Sequence, residues 1–228
     1  MIFKNEHNIS LLSKCFFMIT ILATILVAGW LMFAGMNGLF SWLKPHAIRG
    51  DFLRRFILMS CLVFYFLRLL ITVFVFLKRR MVWVEAIVIT ILMSFVLFSF
   101  AKVGGNNHQS IGIIEIIGIL LYLLGSYLNT RSEYTRHTWK KKEKNKGRLY
   151  TEGLFKYSMH INYFGDVILF AGFAMITHSF TMLIIPLIMA SNFAFYIIPS
   201  LDKYLEKKYG EEFKEYAGRT KKLIPMIY

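Results

Sequence analysis

A chain of 228 residues with 57% hydrophobic, 17% aromatic and only 18% charged residues is too apolar for an ordinary soluble domain, which is about half apolar and about a quarter charged. Its formal charge of +14 would point to nucleic acid on a soluble surface. Here the excess lies in loops beside apolar blocks, where orientation signals and anionic headgroups account for it, so membrane lipids replace nucleic acid as the expected partner.

The first apolar block, Leu11–Phe33, is too long for a signal-peptide core and is followed by further blocks, so it reads as a retained helix with Lys14 snorkelling at the interface. Further blocks cover 56–77, 82–103, 111–128, 164–176 and 180–198, with a short interfacial stretch at 39–43. No ten-residue alternation of a membrane barrel occurs. The expected fold is all-α: a polytopic integral membrane protein of about six transmembrane helices. The last two, joined by 177–179, form a tight hairpin, and the fifth helix extends back into 157–163.

Lys78, Arg79 and Arg80 lie between the second and third blocks, and 131–148 carries eight basic residues against Glu133 and Glu143. The tail is again Lys-rich. The positive-inside rule puts all three segments in the cytoplasm, with both termini. The loop holding Lys44, Arg49, Arg54 and Arg55 against Asp51 disagrees. Cys15 and Cys61 fall inside apolar runs, which reads as buried thiols; no metal spacing, P-loop, Rossmann fingerprint or hydrolase order is present. Residues 1–110 form an N-terminal helical part, and 111–228 hold the polar features that carry chemistry.

Those features cluster after the fourth block. Asn129, Glu133, Arg136, Lys140 and Lys144 are spaced so that one helical face carries an amide, a carboxylate and a basic ladder. This face reads either as a positive-inside anchor or as a seat for an adenosine and its phosphates. Gly147 and Gly153 mark two turns, and Tyr157, His160, Asn162, Tyr163 and Asp166 then crowd together before an apolar helix. Polar groups at membrane depth are kept where they face a cavity or partner. Asp166 alone could instead cap that helix. Glu115 stands within IGIIEIIGILLYLLG, as a buried proton donor or as a carboxyl paired with Arg68. Glu85 reads as an interfacial pair with the Lys78–Arg80 loop.

GLFKYSMHINYFGD (153–166) and the closing KKYGEEFKEYAGRTKKLIPMIY resemble the C-terminal half of the steroid 5α-reductase and sterol reductase families, and a set of uncharacterised bacterial membrane proteins. Isoprenylcysteine carboxyl methyltransferases and phospholipid methyltransferases share a looser version. Their later box is matched by Asp202, Leu205, Tyr209, Gly210, Phe213 and Tyr216. The resemblance covers about residues 120–228. It implies a cytoplasm-facing cofactor cavity in the C-terminal half, with NADPH held by Asn129, Glu133, Lys140, Arg148, Asn162, Tyr163, Asp166 and Tyr204, and Asn162 on the nicotinamide carboxamide. Glu115 and His160 are the candidate catalytic residues, and no metal is implied.

The implied activity is an oxidoreductase reducing a carbon–carbon double bond of a lipophilic substrate. The alternative is an S-adenosylmethionine-dependent methyltransferase using His160, Tyr163 and Asp202. Met159 and Ile161 stand where the methyltransferase box has arginine and proline. Tyr196 and Ser200 replace an Arg and a His of the reductases. The acid and tyrosine that engage a steroid's 3-keto group have no counterpart, so a steroid is not implied.

Overall fold

The computed structural model describes residues 10–33 and 47–228. The interfacial stretch expected at 39–43, and Lys44, lie outside them. Among the described residues the regular structure is entirely helical. The helices are α1 (Leu11–Phe33), α2 (Phe52–Ile71), α3 (Trp83–Gly105), α4 (Ile113–Lys140), α5 (Ile161–Ile176), α6 (Ile184–Asn192), α7 (Ile198–Tyr209) and α8 (Glu211–Arg219). A π-helical turn, Thr72–Phe76, prolongs α2, and another, Phe193–Ile197, joins α6 to α7.

Among the described residues, five helical stretches are long and apolar enough to cross a bilayer: Leu11–Phe33, Phe52–Phe76, Trp83–Gly105, Ile113–Lys140 and Phe180–Tyr209. The expected count of about six is reached only with α5, which has 16 residues. At about 1.5 Å per residue it falls short of the roughly 30 Å hydrocarbon core. Large apolar side chains such as Phe195, Leu187 and Val84 are exposed along these stretches, as expected of helices solvated by lipid. The protein is a multi-pass integral membrane protein.

The chain divides into two compact units. One comprises 5–119 and Gly172–Leu183; the other comprises Leu120–Ala171 and Ile184–Tyr228. The sequence boundary at 110/111 lies in the loop before α4, whereas the structural division falls inside α4. α4, of 28 residues, and α5 each supply residues to both units.

In the first unit, Phe17, Ile21 and Ile25 of α1, Leu58 and Leu62 of α2, and Leu97 and Phe100 of α3 are buried. Phe100 stacks on Phe173 with ring centroids 4.7 Å apart. Asp51 caps α2 by accepting from the Arg54 amide at 2.8 Å. The Arg54 side chain is fully buried and binds Glu115, Nη1 and Nη2 each 3.0 Å from Oε1. Arg54 Nη1 also donates to the Ile176 carbonyl at the end of α5 at 2.5 Å, and Nη2 to the Gln109 carbonyl at 3.1 Å. Glu115 Oε1 lies 2.6 Å from His178 Nδ1, and Oε2 accepts from the Gly112 amide at 2.7 Å. Glu115 therefore pairs with Arg54, not Arg68, because the loop before α4 brings it back to the start of α2.

The Arg55 guanidinium packs between the Phe33 and Phe52 rings, 5.6 and 5.7 Å from their centroids. Arg54 and Arg55 are thus both engaged within the first unit. Glu85 pairs with Arg79 at 2.7 Å, as its place beside that loop led us to expect.

In the second unit, α4 and α5 approach so closely at Gly125 that a Cβ there would stand 2.4 Å from the Gly165 carbonyl oxygen. This contact brings the polar faces of the two helices together. A second core joins the loops to the C-terminal helices: Leu149, Tyr150, Phe155, Met159, Ile161, Phe213 and Tyr216. Gly210, at φ 56°, makes the sharp turn between α7 and α8 that lays Phe213 and Tyr216 onto it.

Candidate functional site

The residues that position the site are set by main-chain pairing. Met159 and His160 amides donate to the Lys221 and Lys222 carbonyls at 2.8 and 3.0 Å, and Ser158 Oγ donates to Leu223 O at 2.7 Å. With 158–160 pinned to 221–223, α5 starts at Ile161, within the 157–163 segment as expected. Asp166 then sits in the second turn of α5, and the capping role does not apply to it. Its Oδ2 accepts from Asn129 Nδ2 of α4 at 3.0 Å.

Asn129, Glu133, Asn162 and Asp166 form one connected cluster. Asn129 Nδ2 also donates to the Asn162 carbonyl at 3.1 Å, and Asn162 Nδ2 donates to Glu133 Oε1 at 2.9 Å. Arg136 donates to both Glu133 oxygens, at 2.6 and 2.5 Å, and its guanidinium lies over the Phe155 ring. Asn129, Glu133 and Asn162 are all more than nine-tenths buried. Among the described residues, Asn129 Oδ1 has no hydrogen-bond partner. The amide cannot be turned round to satisfy it, because Nδ2 already faces two acceptors.

His160 is buried, with Nε2 2.8 Å from Asp202 Oδ1. The carboxylate accepts, which puts a proton on Nε2. Asp202 Oδ2 is also 3.4 Å from Lys222 Nζ. The His160 ring is stacked on Tyr163 at 5.7 Å, and Tyr163 on Phe193 at 4.7 Å.

The remaining sequence candidates stand apart from the amide–carboxylate cluster. Lys140 donates to Tyr209 Oη at 3.3 Å and lies over its ring. Arg148 is exposed, with Nε 4.0 Å from Glu212, in a cleft of about 450 Å³ lined by Trp139, Lys142, Lys144 and Asn145 among others. Lys144 follows the end of α4, so the basic ladder closes at Lys140. Tyr204 is half-buried beneath Lys208. Glu115 belongs to the other unit.

Sequence reasoning did not single out Tyr209 as the partner of Lys140. The signal was available, since Tyr209 lies in the tail pattern, but only the α7–α8 turn carries it to α4. Glu212 was also missed: its Oε2 accepts from the Leu149 amide at 3.1 Å. No sequence period links those two positions.

Tyr216 Oη donates to the Phe155 carbonyl at 2.6 Å, and burial raises its pKa well above the ordinary phenol value. The unfolded chain therefore loses this proton first as pH rises past about 10, so it binds fewer protons than the folded chain and stability falls with further rise. Tyr216→Phe is expected to lower stability by about 1 kcal/mol at neutral pH and to flatten that alkaline slope, read by thermal unfolding between pH 8 and 11.

A family model for the DUF1295 family, described as a protein of unknown function, matches residues 50–220. The chain belongs to that family. Its named relatives are steroid 5α-reductases, in agreement with the C-terminal motifs. It is 32% identical to 3-oxo-5-alpha-steroid 4-dehydrogenase 2 of Rattus norvegicus over 114 residues, which cover 49% of this chain and 42% of that protein. It is 24% identical to 3-oxo-5-alpha-steroid 4-dehydrogenase 1 of Rattus norvegicus over 200 residues, 83% of this chain and 74% of that protein. The Homo sapiens 3-oxo-5-alpha-steroid 4-dehydrogenase 2 is 27% identical over 112 residues, 49% of this chain and 42% of that protein. The chain thus aligns with less than half the length of two of these three relatives. In this family member Tyr196 and Ser200, the replaced positions, are both exposed.

Proposed function

We propose that this DUF1295 chain is a membrane oxidoreductase that uses NADPH to reduce a carbon–carbon double bond of a lipophilic substrate. The carrying observation is the buried amide–carboxylate cluster of α4 and α5 with its unpaired Asn129 Oδ1, in a chain whose relatives are named steroid dehydrogenases. The residues present fit a nicotinamide dinucleotide. An unpaired amide oxygen offers an acceptor to a carboxamide N–H, and Lys142, Lys144 and Arg148 in the exposed cleft suit phosphates. When bound, NADPH supplies a hydride to one alkene carbon, and a proton must reach its neighbour.

The chain's own residues then have separable tasks. Asn162 and Arg136 hold the Glu133 carboxylate in place. Asp166 holds the Asn129 amide. Tyr163 is sandwiched between His160 and Phe193, a rigid ring edge beside the cluster. His160 is the candidate proton donor; its Nε2–H is held by Asp202, so a proton for the substrate leaves from Nδ1 of a doubly protonated ring. Glu115 sits among donors from Arg54, His178 and Gly112, which supports a structural role for it. Positive charge in 131–148 and in the tail supports a site facing the cytoplasm.

The contact between His160 and Asp202, both in the looser methyltransferase box, favours S-adenosylmethionine as the second reading. Titration of the purified full chain with each compound decides between them. Saturable NADPH binding that weakens about tenfold in Arg148→Ala, consistent with loss of a charge-assisted contact, is the expected result. Binding of S-adenosylmethionine alone overturns it.

A further inference from the structure

Tyr122, Ser126, Asn129 and Glu133 of α4 are separated by four, three and four residues and are all buried, so they form one stripe of that helix. Asn129 and Glu133 on this stripe are bonded to α5 through Asp166 and Asn162. Two atoms on it have no hydrogen-bond partner among the described residues: Asn129 Oδ1 and Ser126 Oγ.

The state of Ser126 is unusual for this chain. A hydroxyl on a helix can turn back to the carbonyl four residues earlier. Ser60, Thr72, Thr90 and Ser200 all do so, at 2.9, 3.1, 2.6 and 2.9 Å. Ser126 is 4% exposed and makes no such bond. A desolvated hydroxyl and a desolvated amide oxygen, three residues apart on one face, await the same partner.

The chemistry of that partner follows from what is already spent. Asn129 Nδ2 is used twice within the cluster, so only its acceptor remains. Ser126 can donate. A ketone oxygen can accept from Ser126 Oγ–H but offers nothing to Asn129 Oδ1. A primary carboxamide satisfies both, its N–H toward Asn129 Oδ1 and its C=O toward Ser126 Oγ–H.

We propose that Ser126 is a binding residue of the cofactor site and that, with Asn129, it holds the nicotinamide carboxamide. The proposal rests on the NADPH reading above. Both atoms are sealed from solvent, so a ring that reaches them parts the side chains covering them. A single buried water is the rival occupant.

The test measures affinities of the full chain for three probes: NADPH; its 3-acetylpyridine analogue, which keeps the carbonyl and lacks the N–H; and adenosine 2′,5′-bisphosphate, which lacks the ring. Ser126→Ala is expected to weaken the first two about tenfold and leave the third unchanged. Ser126→Thr, which restores a hydroxyl, recovers both. The unaltered chain is expected to prefer NADPH over the acetylpyridine analogue by about tenfold. If Ser126→Ala leaves NADPH binding unchanged, or weakens all three probes together with a lowered melting temperature, the hydroxyl serves a water or the packing and the inference falls while the cofactor reading stands. An unaltered chain that binds none of the three overturns both.

Discussion

Arg54→Ala is expected to cost about 3–5 kcal/mol of stability, because it leaves the Glu115 carboxylate buried without its cation. Arg54 is fully buried, and its guanidinium joins Glu115, the Gln109 carbonyl and the end of α5 at Ile176. Cations at a helix C-terminus also answer the unpaired carbonyls there. For a chain of this length the loss corresponds to a fall of roughly 10 °C in melting temperature, read by thermal unfolding in a fixed detergent. Glu115→Ala should cost a similar amount, since it strands Arg54. The double change Arg54→Met with Glu115→Leu is expected to be milder than either single loss, because no buried charge is then left unpaired. A double variant as unstable as the sum of the single ones would show that the two residues do not act as a pair. NADPH affinity measured on the folded fraction should change little in any of them.

Asn162→Ala is expected to lower NADPH affinity about 10- to 100-fold, with a smaller effect on folding. Its amide is the donor that orients Glu133, and its carbonyl anchors Asn129 regardless of side chain. Removing the side chain leaves the α4–α5 contact at Asn129 intact but takes away one of the two donors to Glu133 Oε1. The buried carboxylate keeps Arg136, so the expected stability loss is about 1–3 kcal/mol. Asn162→Asp is the sharper variant, since it places a carboxylate directly against Glu133 and should abolish binding through like-charge repulsion. Unchanged dissociation constants in both variants, with melting temperatures lowered, would make the cluster a helix-packing device.

Much of this protein was legible in its sequence because a bilayer imposes a local rule: a spanning segment must satisfy its own backbone, so apolar length alone identifies helices. That is why the first apolar block coincides with α1, Leu11–Phe33. The rule has no purchase where a helix mixes both environments. The fourth block was bounded at 128, yet α4 continues to Lys140, because Asn129 and Glu133 are buried against α5 and not exposed to water. The candidate site was half legible for the same reason. Spacing at threes and fours put Asn129 and Glu133 on one face, and the motif resemblance put Asn162 and Asp166 near a cofactor.

Tertiary structure alone decided the pairings. Glu115 found Arg54 through a returning loop, Asp166 lost its capping role because 159–160 are pinned to 221–222, and Lys140 met Tyr209 through the Gly210 turn. Each joins residues tens of positions apart, and the sign of a charge says nothing about which distant partner the packing will bring to it. The sequence by itself determined the solvent, the helices and the family. Which buried polar atoms were satisfied, and which two on α4 were left waiting, depended on how closely Gly125 and Gly165 allowed two helices to approach.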